Sequence, residues 1–254
     1  MSLITVERIK LFSTRSPWWC MIVAAVLSIG LAALATGFAS GPDELRVTPA
    51  MTQFGVGLGQ MVIMVMAALA VTTEYRFGTI RTSFQAVPQR AALLVNKTIV
   101  VATLAAVVGL VASWGSWVVG SLLASGADMK IDTAAEWRLM FGQGLVYGFA
   151  AIFAVAVGIL IRQSAGAIAI LILWPLLVES LLPLIPKIGD DLQKWTPFTN
   201  ANQFLNGGQD MGLAGADAAG ASTALSPWWA MAYFAAWSIG ILVIALIAAS
   251  KRDA

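Results

Sequence analysis

Histidine is absent from the 254 residues, and cysteine occurs once, at Cys20. The first absence excludes a Ser-His-Asp triad, a histidine-ligated metal and a histidine-held haem. The second excludes an internal disulfide and a cysteine-only metal site. Cys20 itself lies in an apolar run and reads as a small buried or lipid-facing residue. Charge is scarce too, at 11% of the residues, against about 25% in an ordinary soluble domain. The sequence holds no Gly-Lys pair. It therefore lacks the G-x-x-x-x-G-K-[ST] loop with which a chain cradles nucleotide phosphates. With 59% hydrophobic residues and a mean hydropathy of +0.83, these scarcities exclude a soluble enzyme, a disordered chain and a disulfide scaffold.

Long uncharged runs take their place. A helix needs ~20 apolar residues to cross the bilayer interior, and six stretches meet that requirement. They run from Trp18 to Ala39, Phe54 to Thr73, Thr98 to Ser125, Leu139 to Ile161, Gly166 to Ile185 and Trp228 to Ala249. Glu179 alone interrupts them. The first is too long for the apolar core of a cleaved signal peptide and lacks its small-residue cleavage pattern. An open sheet edge has no partner in lipid, so all six are expected as helices. The expectation is an all-α polytopic membrane protein forming one domain over 1–254, without internal repeats.

The charges fall unevenly about these spans. One set of connecting segments holds ten bases and three acids, a net +7; the other holds five bases and nine acids, a net −4. The positive-inside rule places the basic set, and with it both chain ends, in the cytoplasm. The first two outer loops, from Ser40 to Gln53 and from Gly126 to Arg138, are short and slightly acidic. The third, from Pro186 to Pro227, begins with a moderately apolar stretch, Trp195 to Leu205, that suits short re-entrant helices. It continues as a Gly/Ala/Asp-rich run that reads as an exposed loop. Several tryptophans (Trp18, Trp19, Trp195, Trp228, Trp229) stand at span ends or in the outer loop, where aromatic side chains anchor at the interface.

The largest loop on the basic side, Glu74 to Lys97, reads EYRFGTIRTSFQAVPQRAALLVNK. Phe77, Ile80, Phe84 and Val87 fall at helical spacing, which predicts a short amphipathic helix with Arg81 at its flank. Gly78 is placed to break the preceding span and Pro88 to stop the short helix before Arg90. Such an element either rests on anionic headgroups or fits a socket on a cytoplasmic partner. In the second case Phe77, Ile80 and Phe84 are the anchor, with Glu74 and Arg81 around it.

Three stretches of the chain resemble the permease subunit of an ABC-2 type exporter of the actinobacterial kind. ERIKLFSTRSPWW, from Glu7 to Trp19, is similar to that family's E-x-x-K-L-x-(S/T)-x-R-S-x-W-W opening segment. Glu74 to Lys97 is similar to its E-Y-x-x-G-T-I-R-x-(S/T)-x-x-x-x-P-x-R segment. Ser226 to Ala254 resembles its last span and basic tail. The resemblance implies an elbow helix at the N-terminus, although the apolar residues from Leu3 to Phe12 scatter around the helix rather than forming a stripe. It implies a coupling helix docking on a separate ABC ATPase subunit, with Glu74, Arg76, Gly78, Thr79, Arg81, Pro88 and Arg90 at the interface. It implies re-entrant helices at an outer gate, a second permease subunit (a copy or a related chain), and a path along spans two and five. Asn96 stands where the family often has a small residue. ATP and magnesium would belong to the partner; no cofactor and no nucleic acid is implied for this chain, which would sit in a bacterial cell membrane among its lipids.

Other features bear on the energy source. Gly55-x-Gly57-x-Gly59 precedes no strand and reads as close helix packing, as do Gly144 and Gly148. Glu179 lies about 17 residues from Arg162, or ~25 Å at ~1.5 Å per residue. That places it near the outer boundary within reach of water, a position for a structural or gating role rather than a proton relay. Phe54, Met61 and Met64 fall near one face of span two and offer a soft apolar lining for a substrate path. The expectation is the membrane subunit of an ATP-driven exporter of a hydrophobic or amphiphilic cargo. An ATP-independent channel or secondary transporter and a membrane scaffold are the alternatives.

Overall fold

The computed structural model describes residues 3–39, 48–80, 90–124, 129–207 and 225–252. Among them there is no strand. The helices are α1 (Leu3–Ser13), α2 (Arg15–Ala39), α3 (Val56–Arg76), α4 (Arg90–Leu123), α5 (Ala134–Ile161), α6 (Ser164–Leu173), α7 (Glu179–Leu181), α8 (Gly189–Gln193), α9 (Pro197–Asn206) and α10 (Pro227–Arg252). A 3₁₀ turn, Pro49–Gln53, leads into α3, and a π-helical turn, Trp174–Val178, joins α6 to α7.

Among the described residues, six helical stretches are long and apolar enough to cross a membrane: Arg15–Phe38, Pro49–Arg76, Ala91–Leu123, Ala134–Ile161, Ser164–Leu184 and Pro227–Lys251. They coincide with the six expected runs. Most begin or end a few residues further out, because polar residues at a helix end remain helical without being apolar. The chain is an all-α multi-pass membrane protein. Its six spans alternate in direction, so both ends of the chain lie at one face, called here the basic end.

α5 is the hub. Of its most apolar stretch 67% is buried, against 22% for α2 and 17% for the span that begins with α6. It packs on α3, α4, α6, α9 and α10. Its start is fixed by a capping box: Glu136 N–H donates to Thr133 Oγ1 at 3.2 Å, and Thr133 N–H donates to the Glu136 carboxylate at 2.9 Å. Its end is a left-handed residue, Arg162 at φ 58°, whose N–H closes on Gly158 O. Such ends satisfy the orphan donors and carbonyls of a helix.

Small residues let the neighbouring helices approach this hub. Tyr147 of α5 is fully buried and donates from its hydroxyl to Val56 O at 2.5 Å. A Cβ at Gly59 would stand 2.8 Å from that hydroxyl, and one at Gly109 would stand 2.7 Å from the Tyr147 ring. Gly57, by contrast, has nothing within 4 Å of where its Cβ would be. Two members of the glycine triplet thus serve helix packing, as expected, and the third faces open space. A buried polar pair joins the turn before α3 to α4. Gln53 Nε2 donates to Ser113 O, and Ser113 Oγ donates back to Gln53 Oε1 at 2.9 Å.

The stretch from Trp195 to Leu205 inserts into the bundle. Phe198, near the start of α9, packs edge-on against Phe153 of α5 at 5.4 Å and against Phe234 of α10 at 5.5 Å. Further along α9, the Phe204 carbonyl accepts from Arg138 Nε at 2.7 Å, close to the start of α5. The helix therefore begins deep between α5 and α10 and climbs outward. Phe198, Ala201, Phe204 and Leu205 bury one face of it, the i, i+3, i+6, i+7 pattern of an amphipathic helix.

Candidate functional site

Three segments far apart in the chain meet at the basic end. Lys97, in the second turn of α4, donates from Nζ to Glu7 Oε2 at 2.5 Å and to Glu74 Oε1 at 2.8 Å. Lys10 Nζ lies 3.5 Å from Glu7 Oε1 and 3.9 Å from Glu74 Oε1. The Lys97 and Glu7 side chains keep only 6% and 4% of their exposure, while Lys10 keeps 41%. Two carboxylates and two ammonium groups balance one another. Burying charges is costly, and an arrangement of this kind persists only when each ion is paired with good geometry.

Local structure sets each member in place. Glu7 and Lys10 stand three residues apart on α1 and so share a face. α1 therefore docks through a buried carboxylate, with Ile4 and Ile9 exposed. This is why its apolar residues show no stripe. Glu74 lies in the last turn of α3, shortly before Gly78, whose φ of +71° turns the chain where a side-chain-bearing residue would be strained. Beside the cluster the Arg162 guanidinium lies over the Tyr75 ring at 5.0 Å, and Ser164 Oγ donates to Thr72 Oγ1 at 3.0 Å. The start of α6 is thereby tied to the end of α3.

The loop residues separate into two groups. Arg76, Phe77, Gly78 and Thr79 are exposed, with the Arg76 guanidinium 5.6 Å from the Phe77 ring centre. Ile80 is 6% exposed and belongs to the apolar core of the chain itself. The expected shared face of Phe77 and Ile80 is not formed, because Gly78 breaks the helix between them and sends one side chain outward and the other inward. Arg81, Phe84 and Pro88 lie outside the described residues. Arg90 opens α4. Glu7, Lys10 and Lys97 were not among the expected interface residues. Their signal was present as opposite charges at the edges of three separate apolar runs.

A second constellation surrounds Glu179, which is 3% exposed. Its Oε2 accepts from Thr196 Oγ1 at 2.8 Å, Thr199 N–H at 2.7 Å and Thr199 Oγ1 at 3.1 Å. Its Oε1 accepts from Trp174 Nε1 at 2.9 Å and Phe198 N–H at 3.2 Å. The carboxylate caps the N-terminus of α9 from outside that helix, where free N–H groups and the helix dipole favour an anion. Glu179 was expected within reach of water; instead α9 folds back over it and leaves it 3% exposed. The π-helical turn Trp174–Val178 and the prolines Pro175 and Pro183 break the span around this clasp.

A cavity of about 310 Å³ lies beside it, between α3, the Glu179 segment, α8 and α9. Gln60, Met61 and Met64 line one wall, and Ser180, Gln193, Thr199 and Asn202 line the other. Met61 and Met64 thus meet Glu179 at one site, whereas Phe54 precedes α3, is 75% exposed and does not line this cavity. Among the described residues no group of three metal-ligating carboxylates or cysteines is assembled.

Six apolar helices, a broken fifth span closed by a re-entrant helix and a charged cluster at one end define a membrane transport subunit. The chain matches the family described as ABC-2 family transporter protein over residues 3–176, more than half its length, and it belongs to that family of ABC transporter permeases. The matched stretch contains the whole Glu7–Glu74–Lys97 cluster and ends just before the Glu179 clasp. No curated protein matches the chain.

Proposed function

We propose that this chain is the permease subunit of an ATP-driven exporter in a bacterial cell membrane. Both termini and the segment 74–97 face the cytoplasm. Two permease chains bind two ABC ATPase subunits, each docked on Arg76, Phe77, Gly78 and Thr79 and on the segment that follows, including Arg81, Phe84 and Pro88. The observation that carries the reading is the convergence of α1, the end of α3 and the start of α4 on Lys97. A push on the segment between α3 and α4 reaches both helices and the elbow together, because one buried lysine holds all three. A packed, ion-paired joint transmits displacement rather than absorbing it.

At the opposite end the Glu179 clasp serves as the outer gate. Its four hydrogen bonds from Thr196, Phe198 and Thr199 hold α9 closed over the cavity lined by Met61 and Met64. Methionine walls with amide and hydroxyl groups opposite them suit a cargo that is mainly apolar with a hydrogen-bonding end. Tilting of α3 against the fifth span opens the cavity outward.

Co-expression with a candidate ABC ATPase tests the reading. A stable complex with vanadate-sensitive ATP hydrolysis is expected, and Arg81→Glu or Phe84→Asp is expected to dissociate it. Purification without an ATPase partner, together with both variants behaving as wild type, would leave a channel or scaffold as the better account.

A further inference from the structure

A second cavity, of about 280 Å³, lies at the basic end beneath α1 and is separate from the cavity beside Glu179. Its walls follow α3 from Met66 to Phe77, eleven residues, or ~16 Å along the helix axis at ~1.5 Å per residue. The two ends of this groove differ in chemistry. Met66, Leu69, Ala70, Val100 and Val101 form the deep end, and Glu7, Lys10, Glu74 and Lys97 form the end at the membrane surface. That is the polarity of a single lipid lying parallel to the spans in the leaflet at the basic end.

The charged end also specifies the headgroup. Three of the four carboxylate oxygens there face an ammonium group: both oxygens of Glu7, and Oε1 of Glu74. Glu74 Oε2 is buried and accepts no hydrogen bond. A buried acceptor left so is costly, and a donor supplied from outside recovers the loss. We infer that this groove is a binding site for an aminophospholipid of the phosphatidylethanolamine type, whose primary ammonium satisfies Glu74 Oε2 while its phosphate lies toward Lys10.

The alternatives fit less well for stated reasons. A choline headgroup has no N–H to donate. A glycerol headgroup brings an uncompensated negative charge beside two carboxylates, whereas a zwitterion leaves the balanced cluster neutral. The unpaired oxygen is covered, so the ammonium engages it with a turn of the Glu74 carboxylate about its last side-chain bond while Lys97 Nζ keeps Glu7 Oε2. The volume admits the head and the upper part of one chain. This inference concerns lipid binding alone and holds whether or not an ATPase docks nearby.

The test is native mass spectrometry of the purified full-length protein, delipidated in detergent and then offered dioleoyl-phosphatidylethanolamine, -phosphatidylcholine or -phosphatidylglycerol. The ethanolamine lipid is expected to be retained about tenfold better than either other lipid, the worth of one charge-assisted hydrogen bond. Glu74→Gln is expected to remove that preference. Because Glu74 also pairs with Lys97, a second variant, Ala70→Phe, fills the deep end and leaves the charges untouched; it is expected to abolish retention. Equal retention of the three lipids by wild type, or an ethanolamine preference that survives Ala70→Phe, overturns the proposal.

Discussion

Lys97 and Glu7, ninety residues apart in the chain, meet at 2.5 Å with almost no exposure to solvent. Neither residue belongs to a long apolar run, yet their contact fixes how the N-terminal helix sits against the bundle. Glu74 shares the same ammonium group. The pair therefore locates the first helix, the end of the second span and the start of the third with one side chain.

Replacing Lys97 by Met removes the ammonium that hydrogen-bonds both carboxylates at short distance. Breaking a buried pair from one side costs about 3–5 kcal/mol, because the partner is left charged and unpaired. Lys10 remains 3.5 Å from Glu7 and 3.9 Å from Glu74, so the variant Lys97→Met, which leaves two carboxylates to one ammonium, is expected to lose part of that stability in thermal unfolding in detergent. Adding Glu7→Gln to it is expected to restore part of the loss, since the orphan charge is then gone. A double-mutant cycle reads the coupling directly. Strictly additive effects of the two substitutions would show that the contact carries no energy.

Phe77 and Ile80 offer a paired prediction. Phe77 is 71% exposed and Ile80 is 6% exposed, so the same substitution acts on different properties. Phe77→Asp is expected to leave the unfolding temperature unchanged and to weaken association with the ATPase. Ile80→Asp buries a charge among apolar side chains and is expected to lower stability by several kcal/mol, with reduced yield of folded protein. Equal effects of the two on stability would contradict the opposite orientations described above.

Much of the fold was legible in the sequence. Six apolar runs are enough to count and place spans, because helix length and bilayer thickness leave little freedom. The break at Gly78 and the insertion of the stretch from Trp195 to Leu205 were legible for similar reasons, one from backbone freedom and one from mixed polarity. The charged cluster was not. Its members are ordinary loop-edge charges until three helices are folded together, and periodicity analysis is blind to a helix that docks through a glutamate. The sealing of Glu179 was hidden likewise, since depth by residue count says nothing of a segment folding back from later in the chain. Phe54, Met61 and Met64 looked alike on a helical projection. Phe54, however, precedes the helix, and only the two methionines share the cavity.

The glycines of span two make a stability prediction with a sign at each position. A side chain at Gly59 would press on the Tyr147 hydroxyl at 2.8 Å and on Ala24 O at 3.0 Å. Gly59→Val is expected to cost about 1–3 kcal/mol through overpacking. Gly57 meets nothing within 4 Å, and Gly57→Ala is expected to stabilise α3 by about 0.5–1 kcal/mol, the usual difference between the two residues inside a helix. Tyr147→Phe is expected to cost about 0.5–1.5 kcal/mol through the hydrogen bond to Val56 O. Thermal unfolding of the three variants distinguishes them, and a stabilising Gly59→Val would refute the packing described for Tyr147.

Glu179 supplies the last prediction. Its carboxylate takes two backbone N–H groups and two threonine hydroxyls from the start of α9. Glu179→Ala leaves the Phe198 and Thr199 N–H groups without their acceptor, while Thr196 Oγ1 keeps Gln193 O at 2.9 Å, at a cost of about 2–4 kcal/mol from the lost cap and the unpaired groups together. Glu179→Gln keeps an acceptor oxygen and the side-chain volume, so its effect is expected to be smaller. The loss falls on the opening of α9 rather than on the bundle, because α5 and its neighbours do not depend on this carboxylate. Local opening becomes more frequent by a factor of ten for each ~1.4 kcal/mol removed. A cysteine placed at Ala201, which is 2% exposed and lines the cavity, reports this opening in a Cys20→Ser background. Its rate of reaction with a water-soluble maleimide is expected to rise at least roughly 30-fold in Glu179→Ala, the equivalent of ~2 kcal/mol, and less in Glu179→Gln. An unchanged rate in Glu179→Ala would mean that α9 is held by its aromatic contacts with Phe153 and Phe234 alone, and that Glu179 does not latch the gate.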